Sequence, residues 1–299
     1  MNKQVPFQDL FFPFFREIRL LWRFTKTDLL VSVVSGSIFM LAALLSTKSV
    51  NLQSLGYFGL GICYFVFYIY PFDISNQLDA VEEDKINKPF RPLAAGLVDA
   101  EGAYFRYYLG SLIYLLLGAF LGVFYWSVLW VVVTYFLNFK GLDQNWITKN
   151  FVCMGLGTAA QLGPAWQIIC PMNSSAIIWI SLISFWVGLT SCTQDFRDVV
   201  GDRKTSRKTL PILVGDQNAR LITMSFWLIM MISVAVVYFY LKQGLFWLDL
   251  ALILPALATH LYIIYRLWFL RTPKADGKTY LTQCLLYCYL LFLSIYIFL

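Results

Sequence analysis

The chain has 299 residues, of which 59% are hydrophobic and only 13% charged, with a mean hydropathy of +0.66 and a net charge of +6. That balance excludes a soluble domain of this size and implies an all-α, polytopic membrane protein. No nucleic-acid partner is expected; the partner that composition demands is the lipid bilayer.

In chain order, residues 1–28 form an N-terminal segment. Within it Leu10, Phe11, Phe14, Phe15, Ile18, Leu21 and Trp22 alternate with Arg16, Arg19 and Arg23, the pattern of an amphipathic interfacial helix. Residues 29–299 carry nine apolar spans, roughly 29–47, 52–72, 103–123, 126–139, 151–170, 174–194, 219–241, 245–268 and 280–298, the fourth of them short. This division places all but Lys48 and Lys242 of the 23 lysines and arginines on one side, so the positive-inside bias assigns that side and the N-terminus to the cytoplasm. The first span reads as a retained helix rather than a cleaved leader.

Two acidic clusters follow the second and sixth spans. Asn76, Asp79 and Glu83, with Glu82 and Asp84 beside them, repeat the i, i+3, i+7 spacing of Asp195, Asp198 and Asp202. On a helix that spacing forms one stripe of side chains. Carboxylates next to a bilayer are costly to desolvate, which favours bound cations over chance placement. A basic, proline-containing stretch follows each cluster, Lys85 to Leu93 in the first and Arg203 to Pro211 in the second. Hard Mg²⁺ takes carboxylate and phosphate oxygens, and Lys or Arg neutralises what remains, so the pattern fits a metal-bridged diphosphate. Asp73, Asp99 and Glu101 lie off the stripe and are expected in solvent, whereas Lys140 and Asn150 are candidates for the same cavity mouth.

The six cysteines lack metal-ligand spacing and read as small core residues, and His260 reads as a hydrogen-bonded packing residue. No nucleophile dyad emerges.

At the two clusters the chain resembles the UbiA superfamily of intramembrane isoprenyl transferases. The run Asn76-Gln-Leu-Asp-Ala-Val-Glu-Glu-Asp84, followed by Lys88-Pro89 and Arg91-Pro92, is similar to the family's first motif, and Asp195-Phe-Arg-Asp-Val-Val-Gly-Asp202 to its second. The resemblance implies a nine-helix bundle in which Mg²⁺ and an isoprenyl diphosphate lie between the motifs. It departs at Gln77 and Ala80, where aspartates are usual, and the first ligand register stays open. Asn76, Asp79, Glu83, Asp84, Asp195, Asp198 and Asp202 are therefore the candidate metal ligands, with the last three carrying catalysis. Lys88, Arg91, Lys140, Arg197 and Arg203 are the candidate diphosphate partners. The segments Phe24 to Asp28 and Thr134 to Asp143 look like a branch of fungal members that includes membrane terpene cyclases. Transfer of the prenyl group to a lipophilic, aromatic acceptor leads the expectations, cyclisation with diphosphate release is the alternative, and a non-catalytic carrier of an anionic lipid is a third reading.

Overall fold

The computed structural model describes residues 7–47, 49–205, 207–242 and 246–299, without the side chains of residues 7–13 and 246. Lys48, Leu10 and Phe11, named above, thus fall wholly or by side chain outside the described residues. Among the described residues the chain is helical, with a single bridge between Asn145 and Lys208 and no strand. The helices are α1 (Phe7–Thr25), α2 (Ser35–Ser46, entered through a π turn at Leu30–Val34), α3 (Leu52–Asp79), α4 (Val81–Asn87), α5 (Ala100–Phe120) and α6 (Phe124–Phe139). They continue as α7 (Gly155–Gln167, entered through a π stretch at Ile147–Met154), α8 (Ser174–Thr190), α9 (Asp195–Lys204), α10 (Leu210–Val214), α11 (Asp216–Leu241), α12 (Phe246–Phe269) and α13 (Pro273–Phe298).

Every expected span falls on one of these helices. Five are long and apolar enough to cross a membrane: α3, α8 running on into α9, α11, α12 and α13. The other expected spans are less regular, since α6 and α7 are shorter and α5 carries Glu101 and Arg106. Helix starts follow local chemistry. Asn51, Asp99, Asn173 and Thr272 each accept a hydrogen bond from the backbone N–H three residues on, satisfying a donor that the helix leaves unpaired.

The N-terminal α1 meets the rod through α2 at 80°. Leu20 and Phe24 pack against Tyr70, Ile74, Val98 and Tyr107, while Phe14, Phe15, Ile18 and Trp22 remain exposed. The two-sided character legible in the sequence is thus a helix with one face on the bundle and the other offering large apolar side chains outward. Cys153, Cys192, Cys284 and Cys288 are buried as expected, but Cys63 is exposed.

Three local devices bring the acidic segments together. The first helix does not continue through the acidic run: Ala80, at φ −108° and ψ 25°, ends α3 and redirects the chain into α4. The single stripe expected for Asn76, Asp79 and Glu83 is therefore divided between two helices. The second cluster keeps its stripe, because α8 passes through a 3₁₀ turn at Ser191–Gln194 into the unbroken α9. Finally, α9 is clamped from behind by Arg220, which stacks on Phe196 at 4.5 Å and pairs with buried Asp276 at 2.9 Å. On its other side, Gly201 lets Asn87 of α4 come so close that a Cβ would overlap it, and the Asn87 amide donates to the Asp198 carbonyl at 3.3 Å.

Aromatic packing fills the middle of the bundle. Trp130 stacks against Tyr68 and Phe72, with ring centroids 4.8 and 5.2 Å away, and its Nε1 donates to the Tyr68 carbonyl at 2.9 Å. Its ring edge rests on Gly157, where an added Cβ would come within 2.5 Å. An indole stacked against two rings and hydrogen-bonded at its edge has little room to retreat. Gly157→Ala is accordingly expected to cost about 1–3 kcal/mol by overpacking and to lower the melting temperature in detergent; an unshifted melting curve would contradict this packing.

Candidate active site

One cavity of about 200 Å³ lies between α3, α6, α7, α8 and α13, with a charged end and an aromatic end. The charged end is built around cations. Arg207, on the loop after α9, reaches Glu83 at 2.7 Å, Asp143 at 2.6 Å, Asp79 at 3.5 Å and Asp202 at 3.9 Å. One guanidinium therefore joins carboxylates from both acidic clusters and from the loop after α6. Burial works against its charge, but Glu83 and Asp143 outweigh that and hold its proton more firmly than usual. The two loops are also joined through their backbones, since Lys208 N–H donates to Gln144 O at 2.8 Å and Trp146 N–H to Lys208 O at 3.2 Å.

The other charges are paired in turn. Asp195 is fully buried and accepts from Lys149 at 2.8 Å and from Asn150 at 2.9 Å. Asp198 faces Arg197 at 3.2 Å and Lys88 at 3.7 Å. Arg91 spans Asn76 and Asp84, both at 2.9 Å. Burial, and next the charge of Arg91, keeps the Lys88 ammonium below the usual lysine range, with Asp198 pulling the other way.

The sequence-derived candidates sort accordingly. Asn76, Glu83, Asp198, Asp202, Lys88, Arg91 and Arg197 line the cavity. Asp79, Asp84 and Asp195 sit immediately behind that lining, each on a cation that does line it. Two candidates are misplaced. Arg203 is exposed because it follows Asp202 by one residue, about 100° around the helix from the cavity side. Lys140 lies over the ring of Tyr135 at 5.4 Å in a separate groove with Tyr104 and Tyr107. Arg207, Lys149 and Asp143 take the places that sequence spacing could not assign. Asp73, expected in solvent, is buried and lines the cavity, whereas Asp99 and Glu101 are exposed.

Among the described residues no three acidic, histidine or cysteine side chains converge as a ready-made metal site. The donor chemistry nonetheless fits a hard divalent ion. Asp202 Oδ2 is buried without a hydrogen-bond partner, and Glu83 Oε2, although 2.7 Å from Arg207, lies off the direction of its N–H bonds. Buried carboxylate oxygens left in that state are receptive to a cation whose remaining positions are taken by phosphate.

The aromatic end is lined by Tyr68, Phe72, Trp130, Trp186, Tyr280 and Tyr287. Arg197 stacks over Tyr280 at 4.4 Å and so connects the two ends. Trp186 donates through Nε1 to His260 Nε2 at 2.9 Å and stacks on Tyr287. His260 is therefore the packing residue expected of it, fixing a cavity wall from behind. Trp166 and Trp126 are engaged away from this wall, with Pro171 and Gln167.

Residues 29–295 match the UbiA prenyltransferase family. The chain is 33% identical over 289 residues to diterpene cyclase eriG of Hericium erinaceus, covering 95% of this chain and 90% of that one. It is 35% identical over 205 residues to somaliensene A/B synthase of Streptomyces somaliensis, covering 69% and 68%. Its fold resembles that of a UbiA homologue from Archaeoglobus fulgidus solved with GPP and Mg²⁺, with a TM-score of 0.68 at 14% identity, covering 92% of this chain and 99% of that one.

Removing Arg207 tests the charge balance directly. Leaving a buried carboxylate group uncompensated costs about 3–5 kcal/mol, so Arg207→Met is expected to melt well below the unsubstituted protein in EDTA. Mg²⁺ should restore more of that loss than it adds to the unsubstituted protein. Melting curves with and without the ion check both statements.

Proposed function

The chain belongs to the UbiA prenyltransferase family and is a membrane enzyme of UbiA type; from that premise we propose that it ionises an isoprenyl diphosphate with the help of Mg²⁺ and cyclises the resulting cation to a terpene. The observation that carries the proposal is the form of the cavity, whose carboxylate and cation mouth opens directly onto aromatic walls. The names of the diterpene cyclase and somaliensene synthase relatives support cyclisation, and the first points to a 20-carbon substrate.

In this reading Glu83, Asp143, Asp198 and Asp202 hold Mg²⁺, whose charge when bound weakens the bond between the isoprenyl carbon and its diphosphate oxygen. Lys88, Arg91 and Arg197 receive phosphate oxygens, and Arg207 exchanges its carboxylate partners for them as the site fills. Lys149 and Asn150 keep Asp195 fixed, so that α9 presents Asp198 and Asp202 at a constant angle. The isoprenoid tail lies along Trp130, Trp186 and Tyr287. Each ring facing a cation contributes about 0.5–2 kcal/mol, and the closed walls keep water from quenching it.

The proposal also places the mouth and the N-terminus on the cytoplasmic side, a reading that the lysine and arginine distribution supports. It divides the chain into an interfacial segment at 1–28 and a catalytic bundle at 29–299, with the exposed apolar face of α1 in the membrane boundary. Transfer to a lipophilic acceptor is the second reading, favoured by the prenyltransferase character of the matched family.

Incubation of the purified protein with Mg²⁺ and geranylgeranyl or farnesyl diphosphate, without acceptor, separates the readings. Cyclisation yields Mg²⁺-dependent diphosphate release and an extractable cyclic hydrocarbon. Transfer yields little hydrocarbon, and gives a prenylated product with diphosphate release once an aromatic acceptor is added, whereas a carrier yields no release in any mixture. Asp198→Asn and Asp202→Asn should lower release by about 10²-fold or more while the protein stays folded; full release in either would remove them from the metal site.

A further inference from the structure

A reaction that ends in a neutral olefin needs somewhere for a proton to go, and the charged mouth is not the only carboxylate region facing the cavity. Asp73 sits on α3 three residues before Asn76, about 4.5 Å further along the helix. It is 2% exposed and lines the cavity, and no N–H or O–H donor is paired with its Oδ2. Among the described residues it takes no part in the ion pairs of Arg207, Lys149 or Arg91. A buried carboxyl group with an oxygen that meets no donor is expensive unless it shares a proton or meets a ligand.

Asp28 completes the arrangement. Its carboxyl group lies within hydrogen-bond reach of Asp73, and it lines the same cavity from the bend between α1 and α2. It is only partly buried and accepts from the Thr27 hydroxyl at 2.7 Å. The pair therefore runs from the cavity wall toward solvent, with Arg91 and Lys88 as cations acting on it.

Tyr68, Tyr287 and His260, which carry the titratable groups beside Trp130 and Trp186, are committed elsewhere. Tyr68 donates its hydroxyl to the Gly157 carbonyl at 3.0 Å, and Tyr287 donates to Gln161 at 2.9 Å. His260 accepts from Trp186 on Nε2, and its Nδ1 is 2.8 Å from the Ala256 carbonyl, so both ring nitrogens are engaged behind the wall.

We propose that Asp73, relayed by Asp28, is the catalytic base that ends the reaction. The step balances without any further reagent. The C–H bond next to the cationic carbon breaks, its electron pair becomes the new C=C bond, and the proton passes to the Asp73 carboxylate. Asp28 then conveys a proton from the pair to water, and the diphosphate leaves as it would in any case. This assignment rests on the ionisation and cyclisation described above.

The test follows diphosphate release and extracted products together, with Mg²⁺ and geranylgeranyl diphosphate, in the unsubstituted protein, Asp73→Asn, Asp73→Glu and Asp28→Asn. In Asp73→Asn the fraction of ionised substrate that ends as the normal hydrocarbon should fall by about 10²-fold, more than release does, with alcohols or isomeric olefins in its place. Asp73→Glu should recover part of the normal product. Asp28→Asn should shift products in the same direction by a smaller factor, and it serves should Asp73→Asn not fold. An unchanged product ratio in both asparagine variants overturns the assignment and points to diphosphate as the base. A parallel loss of release and hydrocarbon overturns it too, placing Asp73 with the ionisation groups. Absence of release from the unsubstituted protein with or without acceptor removes the underlying reaction, an outcome distinct from either.

Discussion

Carboxylates from three separate segments meet on the guanidinium of Arg207, nearly out of water, and such a cluster persists only while positive charge stands among them. Most of the local architecture serves this meeting. The break at Ala80 turns Glu83 toward α9, Gly201 lets α4 approach, and the stacked Arg220 holds α9 from behind. Because Asp143 belongs to the same cluster, the loop after α6 is drawn over the mouth and joined to the loop after α9. A divalent ion bound among these carboxylates would supply the positive charge that Arg207 supplies in this structure.

Below the mouth the physics changes from charge to shape. Trp130, Trp186 and Tyr287 are large, each is hydrogen-bonded at its polar atom, and each is stacked, so their faces are fixed before any substrate arrives. A preorganised wall of this kind can stabilise a cation without reorganising around it. Under the proposed function it also separates two tasks in space, with the charged head groups for the diphosphate and Asp73 about one helical turn further along α3.

Much of the site was legible because its chemistry is local. The stripe at Asp195, Asp198 and Asp202 lies on one unbroken helix, so spacing alone places those carboxylates together. Lys88, Arg91 and Arg197 follow or interrupt the acidic runs and were within reach of the same argument. Arg203 was not, since a one-residue offset on a helix changes the face, and neither was Lys140, which a surface tyrosine captures. The first stripe failed as a single helix because alanine at position 80 carries no signal of a helix end.

Apolar content and the sorting of lysine and arginine determined from sequence alone that the chain is a helical membrane protein, because the cost of exposing backbone and charge to lipid admits few alternatives. The motif spacing likewise determined which stretches carry the acidic chemistry. Only the tertiary structure decided that Arg207, Asp143 and Lys149 join them, that Asp73 faces the cavity, and which tryptophans form its walls. Those contacts join residues distant in sequence, and the direction of a side chain on a bundle is set by which neighbours pack against it, information that no local pattern contains.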